Sequence, residues 1–287
     1  MSEWEATLRV AGITVRIRSR VGDPSPLLSP DLAAFLHDGV PKAWVELAED
    51  EVAQADPLRR FTPPQFGLRA LPDGGLAMVK RAGRGEVLGT MHPGRGEARL
   101  GLPDLGTAWR VDQEEEGVRE ALQAFLRAFL QALLLETGGT MLHAAGIELK
   151  GWGLAFTGHT RSGKTTLARR FPRNRVLGDD LVAVSPSEEG FLLYGTPWPG
   201  REGGPVSYGG VPLRAVFVLR PGEEKGVAAC APAEAVSLLA AEAPRLEMPD
   251  EESKLLEVFS SLCAAVPICR LSAGLQDDVM EYVEEFI

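Results

Sequence analysis

The sequence predicts an α/β chain in two parts: a smaller β-rich region over residues 1–110 and a larger domain over residues 111–287 built around a glycine-rich loop. Three observations predict it. The first part carries short runs of period-two apolar residues separated by turn signals. One long amphipathic helical pattern, Asp112–Glu136, follows it. Beyond that helix, an apolar run leads into a glycine-rich loop that opens a second helix, a strand–loop–helix order.

The elements follow in order. Thr7–Arg18 alternates apolar and polar residues around Gly12, which predicts a strand pair or a bulged strand. Pro24–Pro30 reads as a loop and Asp31–His37 as a short helix. In Phe66–Met91, Pro72-Asp73-Gly74-Gly75 marks a turn between two strands. In Asp112–Glu136, Val118, Leu122, Phe125, Leu126, Phe129, Leu130, Leu133 and Leu134 share one face. Asp112 is the expected N-cap, with Glu115 three residues on, and Gly138-Gly139 stops the helix. Thr140–Leu149 and Trp152–Thr157 read as strands joined at Lys150-Gly151. Further strands are expected near 175–184, 191–194, 213–219 and 266–271, and helices over 164–171, 232–242, 251–264 and 276–286. Asp250 and Asp277 are the expected caps of the last two.

Composition narrows the function classes. The 287 residues are 45% hydrophobic and 24% charged, ordinary for a globular chain with its own core. A net charge of −10 argues against general nucleic-acid affinity, which needs a basic footprint. Cys230, Cys263 and Cys269 are odd in number and lack metal-type spacing, so buried free thiols in a reducing cytoplasm are expected. The acidic start, Met1-Ser2-Glu3-Trp4-Glu5, has no apolar core region, so no signal peptide is expected. The longest apolar region, near Leu122–Leu135, is interrupted by Gln123, Arg127 and Gln131 and predicts no membrane span.

The chemistry concentrates in Gly158-His159-Thr160-Arg161-Ser162-Gly163-Lys164-Thr165, which fits the pattern G-x-x-x-x-G-K-[ST]. Gly158, Arg161, Ser162, Gly163, Lys164, Thr165 and Thr166 are the expected phosphate-binding set. The glycines let successive N–H groups turn toward phosphate oxygens, Lys164 reaches the outer phosphates, and the Thr165 hydroxyl is placed to ligate Mg²⁺. No N/T-K-x-D guanine signature is found, so ATP is the expected nucleotide.

Two further features bear on phosphate chemistry. Val176-Leu177-Gly178-Asp179-Asp180 ends an apolar run with adjacent carboxylates, which can divide metal holding from acceptor activation. If Lys150-Gly151 is a two-residue turn, Leu149 faces Trp152, and counting back sets His143 across from Gly158. A histidine there can contact phosphate or tune a neighbouring carboxylate. The stretch Gly195–Gly204 has the glycines of a mobile lid, and Arg201 is its candidate phosphate contact.

The segments Leu142-His143-Ala144-Ala145-Gly146, Gly158–Thr166 and Leu177-Gly178-Asp179-Asp180-Leu181-Val182 together resemble the HPr kinase/phosphorylase family. The loop also resembles that of phosphoenolpyruvate carboxykinase, whose nucleotide-binding fold that family shares. The resemblance covers about residues 112–287 and is most specific over 140–184. It implies a mixed, partly antiparallel sheet, and an ATP- and Mg²⁺-dependent transfer to a serine hydroxyl. It also implies Asp179 facing the acceptor, Asp180 and Thr165 at the metal, and His143 as the active-site histidine. Arg161 stands where the family usually has glycine and Thr160 where it has serine; residues 1–110 do not resemble the family's N-terminal domain. The expected acceptor is therefore a protein or peptide, with a small molecule as the alternative. A non-catalytic ATP-binding partner is the reading from another class, and a homo-oligomer is left open.

Overall fold

The structure, a computed structural model, describes residues 4–28, 30–49, 66–80, 87–102, 112–159, 161–200, 209–220, 225–246, 248, 250–272 and 279–286. It is mixed α/β with two mixed sheets. The chain gathers into two compact units. One comprises Met1–Arg9, Ile13–Glu136 and Leu246–Glu251; the other comprises Val10–Gly12, Thr137–Arg245 and Glu252–Ile287.

The first sheet contains β1 (Trp4–Val10), β2 (Ile13–Ser19), β3 (Ala43–Glu49), β4 (Phe66–Ala70), β5 (Leu76–Lys80), β6 (Val87–His92) and β7 (Glu97–Leu102). Their order is β1-β2-β3-β7-β6-β5-β4. The Thr7–Arg18 alternation resolves into a strand pair, turned by Ala11 and Gly12 at φ 50° and 79°. Both values are left-handed, as the twist-matched two-residue hairpin requires. Strand β3 runs parallel to both β2 and β7, and the pairs β4–β5, β5–β6 and β6–β7 are antiparallel. A short helical turn, α1 (Pro30–Ala33), stands in place of the longer helix expected over Asp31–His37. Asp73, in the turn between β4 and β5, accepts the Gly75 N–H at 3.2 Å and pairs with His92 at 2.9 Å, so His92 has a local structural partner.

Helix α2 (Asp112–Glu136) has the bounds its pattern predicts. Val118, Leu122, Phe125, Leu126, Phe129 and Leu130 are buried. It belongs to the unit of the first sheet. There the Phe125 ring lies so near β6 that a Cβ on Gly89 would sit 2.8 Å from it. The compact units thus divide after Glu136, whereas the sequence reading groups this helix with the second domain. An amphipathic stripe shows that a face is covered and not which sheet covers it. The cap side chains expected at Asp112, Glu115 and Asp277 lie outside the described residues.

The second sheet contains β8 (Thr140–Leu149), β9 (Trp152–Thr157), β10 (Val176–Gly178), β11 (Leu181–Ser187), β12 (Gly190–Gly195), β13 (Gly210–Arg220), β14 (Gly226–Ala229) and β15 (Ile268–Ser272). Strand β8 pairs antiparallel with β9, β10 and β11. Strand β13 runs parallel to β9 and β15, and antiparallel to β12. A parallel centre with antiparallel flanks results. The helices of this part are α3 (Lys164–Ala168), α4 (Pro232–Ala240), α5 (Glu251–Ala265) and α6 (Met280–Val283).

The core beneath the parallel strands centres on Phe156 and Phe217, stacked at 5.2 Å, with Phe286 edge-on to Phe217 at 5.1 Å. Leu154, Leu271 and Val283 complete it at 0% exposure. Such offset and edge contacts add about 0.5–1.5 kcal/mol per pair beyond area burial. The single strand expected near 175–184 is two strands, because Asp179-Asp180 forms a bend between β10 and β11. Strand β14 was not anticipated; its Gly226-Val227-Ala228-Ala229 has almost no β-branched content to signal it. Among the described residues, no helix is long and apolar enough to cross a membrane.

Candidate functional site

The β8–β9 hairpin builds one wall of the site. Lys150 and Gly151 turn the chain at φ 51° and 86°, and Leu149 pairs with Trp152. The ladder runs to Ala144 opposite Thr157. One residue further, the Thr157 hydroxyl donates to the His143 carbonyl at 2.9 Å. His143 therefore stands beside the start of the glycine-rich loop, with an exposed side chain. Its other neighbours are fixed by backbone: it pairs with Leu181, and its N–H donates to the Glu242 carbonyl at 2.9 Å.

The loop from Gly158 to Gly163 joins β9 to α3. Gly158, Arg161 and Gly163 take φ 142°, 69° and 99°. The position where the resembled family has glycine is thus left-handed here, although occupied by arginine. At Gly158 a side chain is excluded twice over: the dihedral suits only glycine, and a Cβ would lie 2.9 Å from the Leu219 carbonyl. The Lys164 ammonium turns back into the loop, donating to the Gly158 carbonyl and, at 3.2 Å, to the His159 carbonyl. The Ser162 hydroxyl oxygen is buried with no hydrogen-bond partner among the described residues. Arg161, Thr165 and Thr166 are exposed. Thr160 lies outside the described residues.

The two adjacent carboxylates occupy different environments. Asp179 is 7% exposed, and its Oδ1 accepts the Gly200 N–H at 2.8 Å. Gly200 lies so close that an added Cβ would be 3.1 Å from Oδ2. The backbone of the expected lid segment is therefore seated on Asp179. Thr196 anchors the same stretch by donating to the Leu181 carbonyl at 2.8 Å. Asp180 is exposed, and its carbonyl accepts the Ala144 N–H at 3.1 Å. Arg201, the proposed phosphate contact of the lid, lies outside the described residues.

Electrostatics connect these parts. Partial burial pushes the Lys164 ammonium below its ordinary pKa, while the charges of Glu242 and then Asp180 act in the opposite direction. Glu242 was missed by sequence reasoning. It follows α4, is 9% exposed, and places Oε1 3.7 Å from His159 Nδ1. No motif marks it; the only signal is a carboxylate just after a helical run whose last residues, Leu238–Ala241, are apolar.

The residues present fit a nucleotide phosphate and Mg²⁺. Left-handed positions shape the loop, a lysine turns into it, and a buried serine hydroxyl is left without a described partner. Among the described residues there is no cluster of three or more His, Cys, Asp or Glu side chains able to form a metal cage. Mg²⁺ usually takes one or two protein oxygens and completes its shell with phosphate and water. Thr165 and Asp180 are the side chains that would hold it. In comparison with known proteins, no family model and no curated protein sequence matches the chain.

Proposed function

We propose that this chain is an ATP-dependent phosphotransferase that moves the γ-phosphate to a hydroxyl, with a serine of a protein or peptide as the acceptor, in the manner of HPr-kinase-like enzymes. One observation carries the reading: the Lys164 ammonium turned into a glycine-shaped loop at the end of β9, within electrostatic reach of Asp180. Lys164 and the loop N–H groups bind the phosphates. Mg²⁺ held at Thr165 and Asp180 would supply charge neutralisation on the transferred group.

Asp179 orients the acceptor hydroxyl and takes its proton as the acceptor oxygen bonds to the γ-phosphorus. The bond from γ-phosphorus to the bridging oxygen breaks, and ADP leaves. His143, exposed beside the loop, is placed to contact the phosphate or the acid pair. Because Gly200 covers Asp179, transfer requires the Gly195–Gly200 segment to shift, as a lid does. The same cover favours a second reading, a nucleotide-binding partner protein without turnover. The chain is read as cytoplasmic.

The test is transfer from γ-labelled ATP with Mg²⁺ in an extract of the source cells, comparing wild type with Asp179→Asn. The asparagine keeps an oxygen for the Gly200 N–H, so the cover stays in place. A labelled protein or metabolite present with wild type and reduced at least about a hundredfold with the variant supports the kinase reading. ATP binding with no labelling in either sample favours the partner reading instead.

A further inference from the structure

We propose that Glu242 is a specificity-determining residue of the phosphate loop, setting it to accept a nucleotide as its divalent-cation complex and to reject the free anion. The proposal rests on the reading that ATP occupies this loop. Its geometric basis is the way Glu242 is held. The carbonyl accepts the His143 N–H at 2.9 Å, tying the segment after α4 to the first half of β8. The carboxylate, 9% exposed, lies 3.7 Å from His159 Nδ1 on the loop itself. The backbone of Glu242 is thus tied to β8 and its carboxylate lies beside the loop, with its charge kept largely out of water.

Asp180 differs in the respect that matters. It is exposed, so its side chain can reorient toward an incoming cation. Glu242 is packed between the loop and β8 and presents a stationary negative charge. Both act on the same ammonium, that of Lys164, and Glu242 acts on it more strongly. Metal-free ATP, carrying about four negative charges, must approach the carboxylates of Asp180 and Glu242 with Lys164 and Arg161 as the cations of the loop. Complexation with a divalent cation roughly halves that charge and removes most of the repulsion. Asp180 can recover its cost by ligating the cation, whereas the held carboxylate of Glu242 opposes the bare anion.

The experiment is calorimetric titration of the full chain with ATP in chelator and with ATP in excess Mg²⁺, for wild type, Glu242→Gln and Glu242→Asp. Circular dichroism checks the fold of each. Glutamine keeps the size of the side chain and the carbonyl that holds His143; aspartate keeps the charge. Wild type is expected to favour the Mg²⁺ complex by at least about tenfold. In Glu242→Gln, metal-free ATP should tighten on the order of tenfold while the Mg²⁺ complex changes by less than about threefold. Glu242→Asp should retain most of the wild-type preference. Three outcomes overturn the proposal: a wild-type preference near one, unchanged metal-free affinity in Glu242→Gln, or selective loss of the Mg²⁺ complex in that variant, which would make Glu242 a metal ligand. A wild type that binds neither form refutes the ATP reading itself. Binding with an unaltered preference in Glu242→Gln refutes the role of Glu242 alone.

Discussion

Substituting Gly158→Ala tests whether the loop's shape, and not merely its lysine, makes the site. At φ 142° an alanine costs about 1–3 kcal/mol in backbone strain. Its Cβ would also stand 2.9 Å from the Leu219 carbonyl and 3.0 Å from Ser162 Oγ. The hydroxyl can rotate away. The carbonyl cannot easily yield, because Leu219 lies in β13 and pairs with Leu271 of β15. Overpacking of this kind adds about 1–3 kcal/mol. The chain escapes the combined cost of about 2–6 kcal/mol by giving up the loop conformation, so the loss falls on phosphate affinity. That corresponds to a weakening of about thirtyfold or more in Kd. Calorimetric titration with Mg²⁺-ATP reads the affinity, and thermal melting reads the fold. Gly151→Ala is the control: its φ is 86° and nothing lies within 4 Å of the added carbon, so only about 1 kcal/mol of strain applies, remote from the loop. Wild-type affinity in Gly158→Ala, or equal effects of the two variants on binding, would refute the reasoning.

Further predictions concern stability. Phe217→Ala should destabilise the second unit by about 3–5 kcal/mol in urea unfolding followed by tryptophan fluorescence, because it removes a fully buried ring together with its contacts to Phe156 and Phe286. A loss under about 1 kcal/mol would show that this cluster does not organise the core. Glu148 is held below the ordinary carboxylate range by the Gly151 N–H and then by Arg175, with the Arg175 contact at 2.5 Å. Because its folded pKa is depressed, its contribution is present above the unfolded value of 4.5 and is lost as pH falls through the folded pKa. Glu148→Gln should therefore lower Tm at neutral pH by an amount worth about 1 kcal/mol or less, and the two melting curves should converge on acidification. A difference that persists at the acid end would assign the effect to packing instead.

What the sequence revealed follows the range of the interactions involved. The β8–β9 register was legible because a two-residue turn leaves no freedom in pairing, and it carries the hairpin to Ala144 opposite Thr157, one residue short of the expected facing of His143 and Gly158. Helix α2 was legible because its eight apolar positions keep one period between a polar start and two glycines. The separate fates of Asp179 and Asp180 were not legible: two identical neighbours give no local sign of which will be covered by Gly200, twenty-one residues on. Glu242 was hidden for the same reason, since its partners His143, His159 and Lys164 lie far away in sequence. The parallel placement of β3 between β2 and β7 likewise depends on crossovers that carry no signature in the strands themselves.

The two neighbours of β9 impose an order of assembly on this half of the chain. Its antiparallel partner β8 is two residues away, so that hairpin closes a minimal loop and can form on the microsecond scale. Its parallel partner β13 pairs Leu213 with Gly153 and Val218 with Thr157, across some sixty residues that must first be drawn together. During synthesis the hairpin and the glycine-rich turn leave the ribosome well before β13 does. Until then one edge of β9 has open amides and carbonyls, a row available to any passing strand. In the interval between these two pairings the open edge of β9 leaves the nascent chain exposed to misassembly, and a chaperone that covers an extended apolar segment would act there.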